Sequence, residues 1–340
     1  MVISRLGFGA MTFGKGEGIF AHVSKVSPKL ADQMIGKALD AGVNHFNTAN
    51  GYTGGQSEEI LGKCLGSKRQ DVVISTKCGF RKMSAEPSPI IQAGLSRQHI
   101  LASCDASLKR LGTDYIDVYL VHRVDLFTPV EETVDALDQL VRDGKVRYVG
   151  FSNWPAWMAA KAVGIQQRKG LAQFRAAELY YSLLGRDTEH DLVPFLDDAG
   201  IGMFVWSPLA GGLLTGKYTK DNPKGDGGRL AESDFLPDRR ELAYQTVALM
   251  KEIAAGHKAS VAQIALAWLL AKPVASSILI GANKMEQLED NLGAADIKLS
   301  AEEESNLDEL TSPGTLYPNW FMERAQDQMV TAALAGKPLE

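Results

Sequence analysis

The chain has 340 residues, 45% hydrophobic and 23% charged, with a formal net charge of −5. That length builds a large core, as two domains or as one α/β barrel, and no run of Lys and Arg marks a surface for nucleic acid or an anionic membrane. The three cysteines, Cys64, Cys78 and Cys104, form no CxxC pair, which argues against a disulfide framework or zinc site and fits a reducing compartment such as the cytoplasm.

The N-terminus, MVISRLGFGAM, lacks a basic segment followed by an apolar run, so no signal peptide is expected. Ile3 to Phe8 reads as a short apolar strand before the glycine-rich GFGAMTFGKGEG. Pro28 to Ala41 reads as a helix, with Leu30, Met34, Ile35, Ala38 and Leu39 on one face and Gly42 as its stop. Val43 to Phe46 is a strand that runs into Asn47, Thr48, Asn50 and Tyr52. Ser57 to Leu65 is helix, and the apolar strand Val72 to Ser75 leads to Thr76 and Lys77. Helix Ser96 to Leu111 precedes strand Ile116 to Val121, which ends at His122. Helix Val130 to Val141 precedes strand Val146 to Phe151, which ends at Ser152 and Asn153. Pro155 to Gln166 is helix, Phe174 to Tyr180 a weaker strand, Asp187 to Asp198 helix, and Gly202 to Trp206 strand. Leu209 to Pro237 is long, glycine-rich and without periodicity. Helices Glu241 to Ala255 and Val261 to Ala271 follow, then strand Ser277 to Ile280 and helix Met285 to Leu292. Val261 to Leu270 is the most apolar stretch, too short to span a bilayer.

Eight strands thus alternate with helices. Strands that are apolar at consecutive positions belong in a parallel sheet covered on both faces. Polar residues close many strands rather than one switch point, which favours a closed (β/α)8 TIM barrel over a doubly wound sheet.

Several motifs fail on inspection. GFGAMT has Thr12 where a GxGxxG fingerprint needs glycine, and GGLLTGKY has Tyr218 where a P-loop needs Ser or Thr. GFSNW lacks the second glycine of a nucleophile elbow, and the histidines show no metal-ligand spacing. One constellation works. Asn47, Tyr52, Lys77 and His122 fall at the ends of three successive strands, which in a barrel converge on one pocket. An ammonium stabilises a phenolate, so Tyr beside Lys can transfer a proton to or from an oxygen. A neutral His can orient the same oxygen, and a hydride donor is then implied. Singly, each has a bland reading as rim packing, a solvated end or a core histidine; the shared strand end joins them.

At these residues the sequence resembles the aldo-keto reductases. The stretches that carry the likeness run from LGFGAM through NTANGY, GGQSEEILGKCL, VVISTKCG, LKRLGTDYIDVYLVH, GKVRYVGFSNW, WSPLAGGLLTGKY and ILIGANKMEQLEDNL to IKLSAEE. The resemblance implies a single (β/α)8 barrel domain over 1–340, binding NAD(P)H without a Rossmann motif. It implies reduction of aldehydes or ketones, or the reverse, with Tyr52 as general acid and Lys77 and His122 as partners. Asn47 completes the candidate catalytic set, but there the family's FDTA motif reads FNTA. Lys77 is therefore expected to lose its main anion and to have a lower pKa than in the family.

By the same resemblance, Met11, Ser152, Asn153 and Glu178 lie at the nicotinamide end, with Glu178 where the family usually has a Gln for the carboxamide; Glu178 could alternatively supply the negative charge missing near Lys77. Trp206 is expected to stack on the nicotinamide. Ser207, Leu209, Gly212 and Lys217 line the pyrophosphate path, where a glycine-rich loop's amides suit phosphate. Gly281, Asn283 and Lys284 sit at a helix N-terminus, and Gln287 and Asn291 reach the adenine. Lys284 favours NADP, with NAD as the alternative. Phe20, His22, Arg123, Trp154 and Trp320 are the expected substrate walls. The tail, 312–340, is a C-terminal extension near the barrel mouth, either a lid or a core flap. No metal, nucleic acid or membrane is expected; the partner is a small carbonyl or alcohol. The rival reading is a cofactor-binding regulatory subunit of a channel or other complex.

Overall fold

Eight short parallel strands, buried along nearly their whole length, carry the architecture of this computed structural model, which describes residues 1–16, 21, 23–81, 89–225 and 236–335. They are β1 (Leu6–Gly9), β2 (His45–Asn47), β3 (Val73–Cys78), β4 (Ile116–Val121), β5 (Val146–Ser152), β6 (Phe174–Tyr180), β7 (Gly202–Trp206) and β8 (Ala275–Ile280). Each pairs with the next, and β8 returns to β1 through Leu6–Ile278 and Phe8–Ile280, so the chain is a closed (β/α)8 TIM barrel. The two-residue strand period sorts side chains between two cores. Ile74, Tyr119, Val121, Ala177 and Val205 face the helices, whereas Val73, Val118, Leu120, Ala176, Phe204 and Leu279 form the smaller inner cluster. Ile3 precedes β1 rather than belonging to it and packs against that inner cluster from the amino-terminal end of the barrel.

The helices are α1 (Pro28–Asp40), α2 (Gln56–Leu65), α3 (Arg97–Leu111), α4 (Val130–Arg142), α5 (Ala156–Lys169), α6 (Leu192–Ala199), α7 (Arg240–His257), α8 (Val261–Ala271) and α9 (Met285–Leu292). Local chemistry fixes their ends. Ser27 caps α1 through the Leu30 amide with Pro28 in the first turn, and Ser96 caps α3. The segment expected as one helix from Asp187 is a 3-10 turn, Asp187–Glu189, followed by α6. Pro194 explains the break, because its ring cannot sit in a helix that continues back through residue 190.

Three further helices were not expected: α10 (Ala301–Leu310), α11 (Asn319–Arg324) and α12 (Gln328–Leu334). The first opens on a full capping box, Ser300 with Glu303. The loop after β7 contains a 3-10 segment, Ala210–Thr215, where no local structure was expected. Among the described residues no single helix is long and apolar enough to cross a membrane.

Candidate active site

Above the inner apolar cluster the barrel interior turns polar, by the same two-residue period that fills it with Val and Phe lower down. Asn47 stands beside Ser75 in register, Lys77 beside Leu120, and Glu178 lies between Ser152 and Phe204. Lys77 has no exposed surface and Glu178 only 2%. The Lys77 ammonium donates to Asn47 Oδ1 at 2.8 Å and to the Thr48 carbonyl at 2.9 Å. It meets Glu178 Oε1 at 3.0 Å, an ion pair between β3 and β6 across the interior. Tyr52 OH lies 3.4 Å from the same nitrogen. Tyr52 opens a 3-10 turn, Tyr52–Gly55, immediately beyond β2, and is half-buried.

Asn47 is fully used. Its Nδ2 donates to Glu178 Oε2 and to Ser75 Oγ, both at 2.7 Å. The expected loss of an anion at Lys77 is therefore corrected: Glu178 supplies it, the alternative the sequence also offered. Burial is the largest single influence and would lower the Lys77 pKa, but Glu178 and Tyr52 together outweigh it and the net shift is upward. A raised lysine pKa means the charge persists through neutral pH and is lost only on the alkaline side.

His122, just past β4, sets its ring edge-on to Tyr52 at 5.7 Å and to Phe80 at 4.7 Å. Its pKa falls well below the ordinary value through desolvation first, then the Lys77 and Arg123 charges, so the ring is neutral. Its Nδ1 is buried without a hydrogen-bond partner among the described residues. Arg123 is exposed, with its guanidinium 5.1 Å from the Phe80 ring centre.

One member of the polar layer escaped the sequence reading. His45 lies two residues before Asn47, hence on the same face, with its ring nitrogens 2.8 Å from Ser75 Oγ and 2.9 Å from Ser277 Oγ. Its place is opened by Gly7, where a Cβ would come within 2.8 Å of both His45 Nδ1 and Ser277 Oγ. The strand period was its signal, but only with inward and outward faces assigned.

The residues expected at a cofactor form a second group. Ser152 Oγ donates to the Glu178 carbonyl at 2.7 Å. Asn153 donates to the His122 carbonyl at 3.0 Å and accepts from Trp206 Nε1 at 3.1 Å. Trp206 is half-buried and lies over Tyr180 at 5.0 Å between ring centres. Met11 is half-buried after β1, its carbonyl taking the Ser24 hydroxyl at 2.6 Å. Beyond β7 the backbone turns left-handed at Ser207, Ala210, Gly211 and Gly212, and Leu209 caps that segment. A Cβ on Gly212 would lie 3.2 Å from Lys217 Nζ. Partial burial lowers the Lys217 pKa. A desolvated cation against turned backbone suits a phosphate. Farther round, Lys284 caps α9, Gln287 Oε1 accepts from the Asn283 amide at 3.0 Å, Gly281 is exposed and Asn291 is buried.

The substrate walls fare less evenly. Phe20 and His22 lie outside the described residues. Trp154 is packed against Phe151 and Phe174 and is 2% exposed, leaving almost no surface for a substrate. Trp320 is open, packed among Tyr317 and Phe321, and Asn319 of α11 donates to the His190 carbonyl at 3.1 Å. His190 follows β6, so that contact ties the tail to the carboxyl side of the barrel. Glu178, expected at the carboxamide, has one oxygen on Lys77 and the other on Asn47.

Comparison with known proteins agrees with this geometry. A protein named "Uncharacterized oxidoreductase YrpG" from Bacillus subtilis (strain 168) is 37% identical over 308 residues, covering 88% of this chain and 90% of that one. An L-glyceraldehyde 3-phosphate reductase of Escherichia coli (strain K12) is 36% identical over 312 residues, with 87% of each covered. A "Probable voltage-gated potassium channel subunit beta" of Oryza sativa subsp. japonica is 36% identical over 303 residues, covering 87% of this chain and 88% of that one. The Aldo/keto reductase family profile matches residues 5–312, and the chain belongs to that family.

Proposed function

We propose that the protein is an NADP(H)-dependent oxidoreductase that reduces aldehydes or ketones to alcohols, or runs the reverse. The observation that carries this reading is the Tyr52 hydroxyl 3.4 Å from a buried, ion-paired Lys77, with the neutral His122 ring edge-on at 5.7 Å. When bound, the nicotinamide supplies the hydride; the chain's residues handle the proton and the positioning. Lys77 favours the phenolate form of Tyr52, so the phenol releases its proton to the carbonyl oxygen as negative charge gathers there. His122 hydrogen-bonds the same oxygen without adding a second charge. Asn153 and Ser152 would hold the carboxamide and Trp206 would lie against the ring. Ser207, Leu209, Gly212 and Lys217 would hold the pyrophosphate, and Lys284 would meet a 2′-phosphate, which favours NADP over NAD. Arg123 and Trp320 would border the carbonyl compound, and the described part of the tail, tied to the barrel through Asn319, would act as a lid.

The test is a panel of aldehydes, ketones and alcohols, each run with NADPH and NADH and followed by nicotinamide absorbance. Turnover of at least one carbonyl, faster with NADPH, is expected. Absence of turnover, with cofactor still bound, would favour a second reading, a cofactor-binding regulatory subunit; the channel-subunit names among the relatives favour that rival.

A further inference from the structure

We infer that Asn47 and Glu178 work as one exchangeable acid–amide pair around Lys77, with Glu178 carrying the negative charge that keeps Tyr52's neighbour an ammonium. This rests on the reading of Tyr52 as the proton donor and adds to it two positioning residues. Three short acceptors surround the ammonium: Asn47 Oδ1 at 2.8 Å, the Thr48 carbonyl at 2.9 Å and Glu178 Oε1 at 3.0 Å. Tyr52 OH accepts from the same ammonium at the longer distance of 3.4 Å.

The amide at 47 is oriented by its partners. Its oxygen faces a cation, and its nitrogen gives one proton to Glu178 Oε2 and one to Ser75 Oγ, both at 2.7 Å. An aspartate there, with Glu178 retained, would lose both donors and place two carboxylates on one ammonium. A glutamine at 178 alone would leave Lys77 a buried cation with no anion, the costly case for a buried charge. Making both changes together restores one carboxylate, one amide and one ammonium in the same volume. An amide at 178 can then donate to the carboxylate at 47 along the line that now runs the other way. The trade needs no backbone change, because Asn47, Lys77 and Glu178 already meet side chain to side chain from β2, β3 and β6.

The test compares Asn47→Asp, Glu178→Gln and the double variant with the wild-type protein. Two readouts are used: the pH profile of kcat, and the denaturant midpoint of unfolding. Glu178→Gln should lower kcat about tenfold or more, the scale of one charge-assisted contact. It should also move the alkaline limb of the profile to lower pH, since an unpaired buried ammonium gives up its proton more readily. The double variant should recover most of that loss, return the limb toward its wild-type position, and unfold at a higher denaturant midpoint than either single variant. A merely structural Glu178 would lower the midpoint and leave the pH profile in place. Additive losses in the double variant, or a Glu178→Gln profile identical to wild type, would overturn the inference. If the wild-type protein turns over no carbonyl, that failure falls on the proposed reaction, and the unfolding midpoints of the four proteins still decide whether the two side chains are interchangeable.

Discussion

His45 gives the sharpest physical test of the polar layer beneath the site. It is wholly buried, held between Ser75 and Ser277, and its pKa is pushed down from 6.5 to about 3, by burial first and by the Lys77 charge second. The folded protein therefore keeps a neutral imidazole while the unfolded chain takes up a proton near the ordinary value. Its contribution to stability is fully present above pH ~6.5 and is lost as pH falls toward the folded value. Each pH unit in that window costs about 1.4 kcal/mol. Between about pH 6.5 and about pH 5 the loss is roughly 2 kcal/mol, a large share of a typical net stability of about 5–15 kcal/mol. His45→Gln keeps one donor and one acceptor but does not titrate. Urea unfolding of both proteins at about pH 7 and about pH 5 should show the gap between them narrowing by roughly 2 kcal/mol at the lower pH. A gap constant to within about 0.5 kcal/mol would refute the neutral buried imidazole.

Other outcomes follow from the same geometry. Lys77→Met strands the Glu178 carboxylate and should cost about 3–5 kcal/mol in urea unfolding, whereas Lys77→Met combined with Glu178→Leu should cost clearly less; equal costs would contradict the ion pair. Lys284→Ala should weaken NADPH binding about tenfold, the worth of one charge-assisted contact, with a smaller effect on NADH. Cofactor fluorescence titration reads both, and equal effects on the two cofactors would remove Lys284 from the 2′-phosphate site.

Much of the fold was legible because its signals are local. Apolar runs bounded by glycine gave the strands, and α8 and α9 were placed to the residue because Ser260 and Gly293 punctuate them. The misses have physical causes. Short 3-10 turns such as Ala210–Thr215 carry no periodicity, and Pro194 divided what read as one helix. α10 did have a readable start in Ser300 and Glu303, and that signal was passed over. At the site, strand ends brought Tyr52, Lys77 and His122 together without any contact being known. The Lys77–Glu178 pair was not legible in the same way, since β3 and β6 are not neighbours and meet only across the closed interior. Asn47 pointed to a lost anion, and it was the alternative role for Glu178 that matched the pair. Trp154 shows the opposite error: it was expected as a substrate wall, yet the chain turns its ring into the core.

The central claim is that Tyr52 delivers the proton to a carbonyl held against a nicotinamide, and Tyr52→Phe tests it most directly. NADPH titration and steady-state turnover of an aldehyde accepted by the wild-type protein would be measured on both proteins. Cofactor affinity should stay within about threefold while kcat falls by about 10²-fold to 10⁴-fold, the span general acid catalysis supplies. Wild-type turnover in Tyr52→Phe would contradict the account.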